Sequence, residues 1–523
     1  MSVELSRPEA GEPPSGGAAA AGAGRWVALV VICMAALVLS LDTTVLQLAV
    51  PNLIRDLHPS SSQILWIVDI YGFALSGLLV TMGGLGDRVG RKKLLLTGCV
   101  LFGAASLGAA YAQSAEQLIA ARALLGVAGA TVYPTTLSII RNVFTDPKER
   151  TTAIAIWSGL ISGGLALGPI VAGPMLTHFW WGSVFLINPP VMLLVLVVGF
   201  FVVPESRNPE PGRLDLPSVL LSVVGIIGVV YAVQESVRDG SGEPRIIAAA
   251  AVGLVSLALF VWRQTRLTEP LIDVRLFADR YFSGAVVANT GGLFAFIGVT
   301  LLLSQYFQLG HDWTPLRTGM AMLPPIALAI FFGPVVALLV PVFGRMRIIA
   351  VGIGLIAVSM FMYGFVDADS GYLAVMFPLL VQAIGATATF TLTADIIINS
   401  APKERSGAAS AIATTCAELG GALGIAVLGT LLNAAYHSGI KVPAGLPAPA
   451  VDAVRDSIGG AVHVAADLPA GLAGQVMRSA KDAFAHGLHA ATFTTAVFLV
   501  VLTVVAAAAL RGVPDEFPED SQE

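Results

Sequence analysis

Stretches of about twenty mainly apolar residues recur along almost the whole chain, and this recurrence limits the fold more than any single motif. At 1.5 Å rise per residue, about 20 apolar residues in a helix cross the hydrocarbon core of a bilayer. Inside that core each backbone polar group must be satisfied by the protein itself, so spanning structures are helices or closed barrels. A barrel shows alternating segments of roughly ten residues, and these runs do not alternate. Of 523 residues, 56% are hydrophobic and 12% charged, against about 25% charged in soluble domains. Most of the chain therefore never meets water, and the sequence predicts an all-α polytopic membrane protein.

Fourteen spans are expected, at 26–50, 63–85, 94–112, 115–140, 151–176, 184–203, 215–237, 245–262, 282–308, 318–340, 346–366, 371–398, 405–435 and 488–510. Pro134, Pro169 and Pro378 fall inside spans, where membrane helices tolerate proline. Residues 1–24, rich in Gly, Ala, Pro, Ser and Glu, read as a disordered tail without the pattern of a cleaved signal peptide. Residues 511–523 form a second tail. With the amino terminus in the cytoplasm, twenty Lys and Arg fall on cytoplasmic segments and eight on outer loops; Arg122 alone lies in a span. Positive charge favours the cytoplasmic side, so both termini are expected there, which agrees with an even number of spans. The longest loop, 436–487, is then outside, with short helices expected around 450–464 and 472–485; a spacer and a lid over the outer mouth both fit. The net charge of −5 is dispersed among loops and points to no nucleic acid. Cys33, Cys99 and Cys416 all lie in apolar runs and read as small packing residues rather than a disulfide framework.

Between the second and third spans stands Gly83-Gly-Leu-Gly-Asp-Arg-Val-Gly-Arg-Lys-Lys93, a glycine-paced, positively charged turn. Gly83, Gly86 and Gly90 permit a tight turn and close helix approach. Asp87 can face a helix amino terminus, whose partial positive charge favours an anion. Arg88, Arg91, Lys92 and Lys93 anchor the turn on the cytoplasmic side or pair with acids nearby.

This block resembles the loop between helices 2 and 3 of the major facilitator superfamily, G-x-L-x-D-R-x-G-R-K/R. Leu41-Asp42-Thr43-Thr44-Val45 with Ala49 and Pro51 resembles the first-helix signature of fourteen-helix drug/proton antiporters, with Gln47 where that signature usually has Asn and Val50 where it has Leu. Arg122 with Gly126 and Gly129 resembles the helix-4 motif, with Leu125 at a position where Gln is common. Gly164-Leu-Ala-Leu-Gly168-Pro169-Ile-Val-Ala-Gly173 resembles the helix-5 antiporter motif, with Pro174 replacing its last glycine. Trp66-Ile-Val-Asp69-Ile-Tyr71, Trp181-Gly-Ser-Val-Phe185-Leu-Ile-Asn188 and Asp273-Val-Arg-Leu-Phe277 are similar to the QacA-type branch, which exports lipophilic cations. The resemblance covers about residues 25–510 and is densest over 40–190.

It implies a major facilitator fold: a six-helix bundle over 25–203, an inserted helix pair with linkers over 204–281, and a second six-helix bundle over 282–510. It implies gating by Gly83, Gly86, Asp87, Arg88, Gly90 and Arg91, with Asp87 latching onto the start of the thirteenth span near Ser406–Ala408. It implies that the helix-5 segment (Gly164, Gly168, Pro169, Gly173) prevents proton leak; close helix packing is the bland alternative.

Charges inside the bilayer cost at least ~2.5–3.5 kcal/mol, so they face a cavity or a partner. The resemblance implies that Asp42 and Arg122 interact, as the helix-1 acid and helix-4 arginine of the superfamily do. Arginine keeps its proton, so it would tune the acid, unless the pair is a static structural one. Glu418 stands near the centre of its span with no lysine or arginine nearby in sequence, which suits it to carry a proton or attract a cation; the alternative is a neutral packing residue. Asp42, Arg122 and Glu418 are thus the proton-coupling candidates. Asp42, Asp69, Glu418, Tyr133, Trp157, Phe294 and Met322 are the substrate-binding candidates, although each aromatic alone fits core packing. Asp395 and Glu235 read as interfacial. The QacA-type pattern has further acids where this chain has Ala329, Ala413 and Thr414, which favours monovalent, zwitterionic or neutral cargo.

The expected function is proton-coupled export of lipophilic, often cationic drugs, antiseptics or antibiotics across the plasma membrane by alternating access. Dedicated export of one metabolite, self-made antibiotic or lipid is the alternative; the helix-5 motif argues against proton symport. No H-E-x-x-H, Walker loop or nucleophile elbow is present, so no enzyme, metal or cofactor is expected. The expected partners are a small lipophilic substrate, protons and the bilayer, with the chain a monomer.

Overall fold

A computed structural model describes residues 23–207, 215–239, 243–267, 270, 274–400 and 406–513. Most of the two tails, residues 401–405 and parts of the linkers around the expected helix pair lie outside the described residues. All regular elements among the described residues are helical: α1 (Ala23–Leu57), α2 (Ser61–Val89), α3 (Arg91–Ala110), α4 (Ala115–Val143), α5 (Pro147–His178), α6 (Asn188–Val202), α7 (Leu216–Asp239), α8 (Pro244–Arg266), α9 (Arg280–Gln305), α10 (Pro315–Ala321), α11 (Leu323–Phe343), α12 (Arg345–Tyr363), α13 (Tyr372–Asn399), α14 (Ser406–Gly439), α15 (Ala448–Asp456), α16 (Ile458–Ala466) and α17 (Ala470–Ala509). A 3₁₀ turn over Trp181–Ile187 leads into α6, and a π turn over Tyr306–Gly310 extends α9.

Among the described residues, twelve segments are long and apolar enough to cross a membrane. Helices α5 and α7 occupy the places of the other two expected spans, with 32 and 24 residues. Two boundaries differ from expectation for clear reasons. The tenth span breaks at Met322 into α10 and α11, because Pro324 and Pro325 occupy the first turn of α11, where a missing N–H costs nothing. The last helix begins at Ala470 rather than 488. Between the short helix expected over 472–485 and the span after it stand only His486 and Gly487, with no proline, so the two fuse into one helix.

Helices α1–α6 pack as one half through α2 with α4, α3 with α4 and α6, and α1 with α5. Helices α9–α14 and α17 pack as the other, through α9 with α14 and α12 with α13 and α17. Helix α9 crosses α14 so closely that a Cβ at Gly298 would stand 2.8 Å from the Gly424 carbonyl oxygen, the close backbone approach that holds helices together in lipid. The α7–α8 pair lies along the seam between α2 and α14. There Phe73, Val230, Ala422 and Ala426 form a small core of their own, Ser62 bonds Glu235, and Arg263 clips the pair together through Asp215 at 2.8 Å.

The end of the molecule that carries the start of α1 and the Gly90 turn is the near face; the opposite end is the far face. At the far face a proline decides how the halves meet. Pro51 lies inside α1 and has no N–H, so the carbonyl of Gln47 loses its intrahelical donor. Ser304 of α9 supplies one, its Oγ donating to Gln47 O at 2.8 Å. Gln308 adds its Nε2 to Leu48 O and to Ser304 Oγ, both at 3.1 Å. A buried carbonyl left unpaired would cost about 1–3 kcal/mol, so the other half completes helix α1.

The loop expected over 436–487 lies across this face. Asp456 at the end of α15 accepts from Ser61 N at 2.8 Å and from Ser61 Oγ at 3.1 Å, capping α2 from the other half. The rings of His58 and His463 lie 3.9 Å apart. The segment packs across the seam at this face.

Ser304→Ala orphans the Gln47 carbonyl and destabilises the closed far face by ~1–3 kcal/mol. A cysteine introduced at Gln305, which lines a small cavity under this segment, should then react about 5–150-fold faster with a membrane-impermeant maleimide. Adding Pro51→Ala returns an N–H to the carbonyl and should reverse the effect; an unchanged rate in Ser304→Ala would show that this bond does not hold the face closed.

Candidate functional site

Helices α1 and α4 bring Asp42 and Arg122 together in the first half, where the carboxylate and guanidinium form a salt bridge. Both are buried, with Arg122 1% exposed. Arg122 Nε donates to the Ile67 carbonyl at 3.2 Å, and its guanidinium lies 4.5 Å from the Tyr71 ring centroid, an attractive cation–π geometry. The second oxygen of Asp42 accepts from Asn188 Nδ2 at 3.0 Å, and that nitrogen also donates to Ser106 Oγ at 3.0 Å. A buried ion pair is tolerable when its remaining donors and acceptors are satisfied; here Ile67, Asn188 and Tyr71 do so.

Arg122 and Tyr71 also face a cavity of about 180 Å³ between the halves. Its walls come from α1, α2, α4 and α5 on one side and α9 and α14 on the other. Asp69 and Tyr133 line it from the first half, and Glu418 from the second. Asp69 is 1% exposed. Glu418 has no hydrogen-bond or ion-pair partner among the described residues. Leu75, Leu293, Ile297 and Ile425 make the rest of the wall largely apolar, as small-molecule sites are.

Three expected binding residues stand elsewhere. Trp157 donates its Nε1 to Thr136 Oγ1 at 3.2 Å and packs edge-on against Tyr133, so it props a wall residue. Phe294 packs on Phe498 of α17 and is not among the residues that line the cavity. Met322 is buried at the α10–α11 break. An apolar residue carries no sequence signal of which helix face meets the cavity, and this explains the difference. Asp395, expected to be interfacial, pairs with Arg345 at 2.9 Å.

The helix-5 glycines face α1 on either side of Asp42. A Cβ at Gly164 would meet the Ser40 side chain and one at Gly168 the Thr44 side chain, with Thr44 Cβ at 2.9 Å. Ser40 and Thr44 flank Asp42 by two residues each way, so α5 packs closely against the turn of α1 that carries the acid. Further along, Gly173 would put a Cβ 2.8 Å from Leu316 Cα of α10, so the same helix meets the second half. The side chain of Pro169 lies outside the described residues.

At the near face the turn between α2 and α3 is a single residue, Gly90, with φ of +117°, a backbone conformation that favours glycine. Arg91 grips Asp87 across it, Nε to Oδ1 at 2.9 Å. Gly83 and Gly86 lie against Pro134 and Thr135 of α4, and Arg88 is half-buried. Glu205 and Ser206, just past α6, cap the start of α3: Arg91 N donates to Ser206 O at 3.0 Å and Lys92 N to Glu205 Oε1 at 3.2 Å. Residues 401–405 and the side chains of 406–411 lie outside the described residues, and with them the expected target of Asp87.

Sequence reasoning missed Asn188 and Ser106 as supports of Asp42, Tyr71 as the face under Arg122, and Glu205 as the cap of the turn. Asn188 and Tyr71 were visible only inside resembling segments. An uncharged polar residue in a span is too common to stand out.

A family model described as Major Facilitator Superfamily matches residues 32–425. The chain is 43% identical over 436 residues to "Multidrug efflux pump LfrA" of Mycolicibacterium smegmatis, covering 83% of this chain and 86% of that protein. It is 35% identical to "Methyl viologen resistance protein SmvA" of Salmonella typhimurium, covering 84% and 88%. Among solved structures, a bacterial homolog of the human lysosomal transporter Spinster, in an inward-facing and unoccupied conformation, superposes with a TM-score of 0.67 at 16% identity, covering 96% of this chain and all of that one. That likeness concerns the fold.

Arg122→Leu leaves Asp42 buried without its counter-ion and should destabilise the protein by about 3–5 kcal/mol. Asp42→Asn combined with Arg122→Leu should recover much of that loss in a double-mutant cycle, read as resistance to unfolding in detergent. Additive losses would show that the two side chains are not energetically coupled.

Proposed function

Starting from the fact that the chain belongs to the Major Facilitator Superfamily, we propose that it exports lipophilic, mostly cationic drugs in exchange for protons, by alternating access. The observation that carries this reading is the cavity between the halves. It sets Glu418 of one half against Asp69 and the Arg122–Asp42 pair of the other. Apolar walls suit a greasy cargo, and the two carboxyls suit a cation. The relatives named for multidrug efflux and for methyl viologen resistance support the same cargo class.

Coupling follows from electrostatics. Arg122 does not give up its proton, so the proton affinity of Asp42 changes whenever its contact with Arg122 changes or a cation enters beside it. A proton and a cationic drug then compete for the same negative charge, directly at Glu418 and through Arg122 at Asp42. Inward proton movement contributes ~2.3 kcal/mol per charge per 100 mV of membrane potential. The cavity volume is below the ~300–1,000 Å³ of a drug-sized site, so a large substrate enters as the halves part.

All fourteen helical spans cross the plasma membrane in this reading. The near face, with its Arg and Lys, is cytoplasmic; the far face, held shut by Ser304, Gln308 and Asp456, is outside. Asp87 and Arg91 belong to the cytoplasmic gate, and the close α1–α5 packing at Gly164 and Gly168 limits proton leak.

In everted vesicles carrying a proton gradient, ethidium and benzalkonium should each release protons in the wild type. Glu418→Gln and Asp42→Asn should abolish that release at equal expression. Release that survives both substitutions unchanged would overturn the site, and no substrate-linked proton movement in the wild type would overturn antiport. Gly168→Val, which forces α5 away from Thr44, should instead raise the substrate-free proton leak; an unaltered leak would reduce these glycines to packing.

A further inference from the structure

The carboxyls of the cavity explain attraction for a cation but not discrimination among cations. Gln47 is placed to supply that. It lines the cavity at 1% exposure, and its Nε2 has no hydrogen-bond partner among the described residues. An amide buried in this state costs about 1–3 kcal/mol until something accepts its hydrogens. Ser40 and Thr43 have no donor left to offer a cargo: Ser40 Oγ donates to Leu37 O at 2.9 Å and Thr43 Oγ1 to Leu39 O at 3.3 Å. Arg122 is committed to Asp42 and Ile67. Asp69 and Glu418, when ionised, only accept.

The backbone of Gln47 is held from outside its own half. Because Pro51 frees its carbonyl, Ser304 grips it across the seam. The side chain therefore projects from a fixed point at the cavity wall, and a donor fixed before binding loses little entropy when it is used.

We propose that Gln47 determines specificity: its amide donates a hydrogen bond to a carbonyl or ether oxygen of the cargo, so the site favours lipophilic cations that carry such an acceptor over cations that carry none. A site built to hydrogen-bond its ligand discriminates against analogues lacking the group, because its own polar atom is then left unpaired. The inference rests on the export reading for its biological meaning, and on binding alone for its test.

The test is equilibrium binding of two cations to the purified full chain in lipid nanodiscs. Puromycin carries amide and ether oxygens; tetraphenylphosphonium has no hydrogen-bond acceptor. Gln47→Leu preserves bulk and leaves the backbone contact with Ser304 in place. It should weaken puromycin about fivefold to tenfold and leave tetraphenylphosphonium unchanged or tighter. Gln47→Asn, which keeps a donor, should retain part of the preference for puromycin. Equal weakening of both cations by Gln47→Leu would assign Gln47 to packing and overturn the proposal, as would no change in either or a wild type that does not bind puromycin. If the wild type binds both cations with the expected preference but vesicles pump neither, the export reading fails while the donor role of Gln47 stands.

Discussion

The buried pair of Asp42 and Arg122 is the interaction on which the rest of the site depends. Two charges in the middle of a bilayer are expensive, and only mutual contact and full hydrogen bonding make them tolerable. That requirement fixes neighbours one after another. Ile67 and Tyr71 on α2 complete Arg122, and Asn188 and Ser106 complete Asp42. Gly164 and Gly168 let α5 close over the same turn of α1. Four helices of the first half, α1, α2, α4 and α6, therefore contact the pair directly, α3 reaches it through Ser106 and Asn188, and α5 packs against the turn that carries Asp42.

The second half meets this arrangement at two levels. In the middle, Glu418 faces it across a cavity rather than through a bond, so the charge on that side is available to a ligand. At the far face the contact is tight and hydrogen-bonded, because Pro51 leaves a carbonyl that α9 completes. The two levels share Gln47, whose carbonyl belongs to the far-face contact and whose amide belongs to the cavity. A change in what fills the cavity thus acts on a residue already tied to the seam, the arrangement a two-state element requires if ligands are to bias it.

Much of the fold was legible in the chain. Apolar runs of bilayer length located the helices, and the glycine at 90 located the first near-face turn, since few other residues adopt its backbone angle. Asp42, Arg122, Asp69 and Glu418 were legible as candidates because charge in a span is rare and costly. The aromatic candidates were not separable by this reasoning. Tyr133 lines the cavity while Trp157 packs on Tyr133 and Phe294 packs on Phe498, and nothing in an aromatic side chain within a lipid-soluble helix says which neighbour it meets. The far-face segment was misjudged in extent for a related reason: 470–487 lacks a strong breaker, so the helix of the last span runs on through it.

By itself the sequence determined that this protein spans a membrane as a helical bundle, and it singled out the charges around which such a bundle must close. Both follow from transfer free energies, which belong to residues one at a time. Only the tertiary structure decided which of those charges are paired, which face a cavity, and which polar groups are left to receive a ligand. Those properties belong to sets of helices. Asp42 is satisfied because Asn188 arrives from 146 residues away, and Gln47 is tied across the seam because Ser304 arrives from 257.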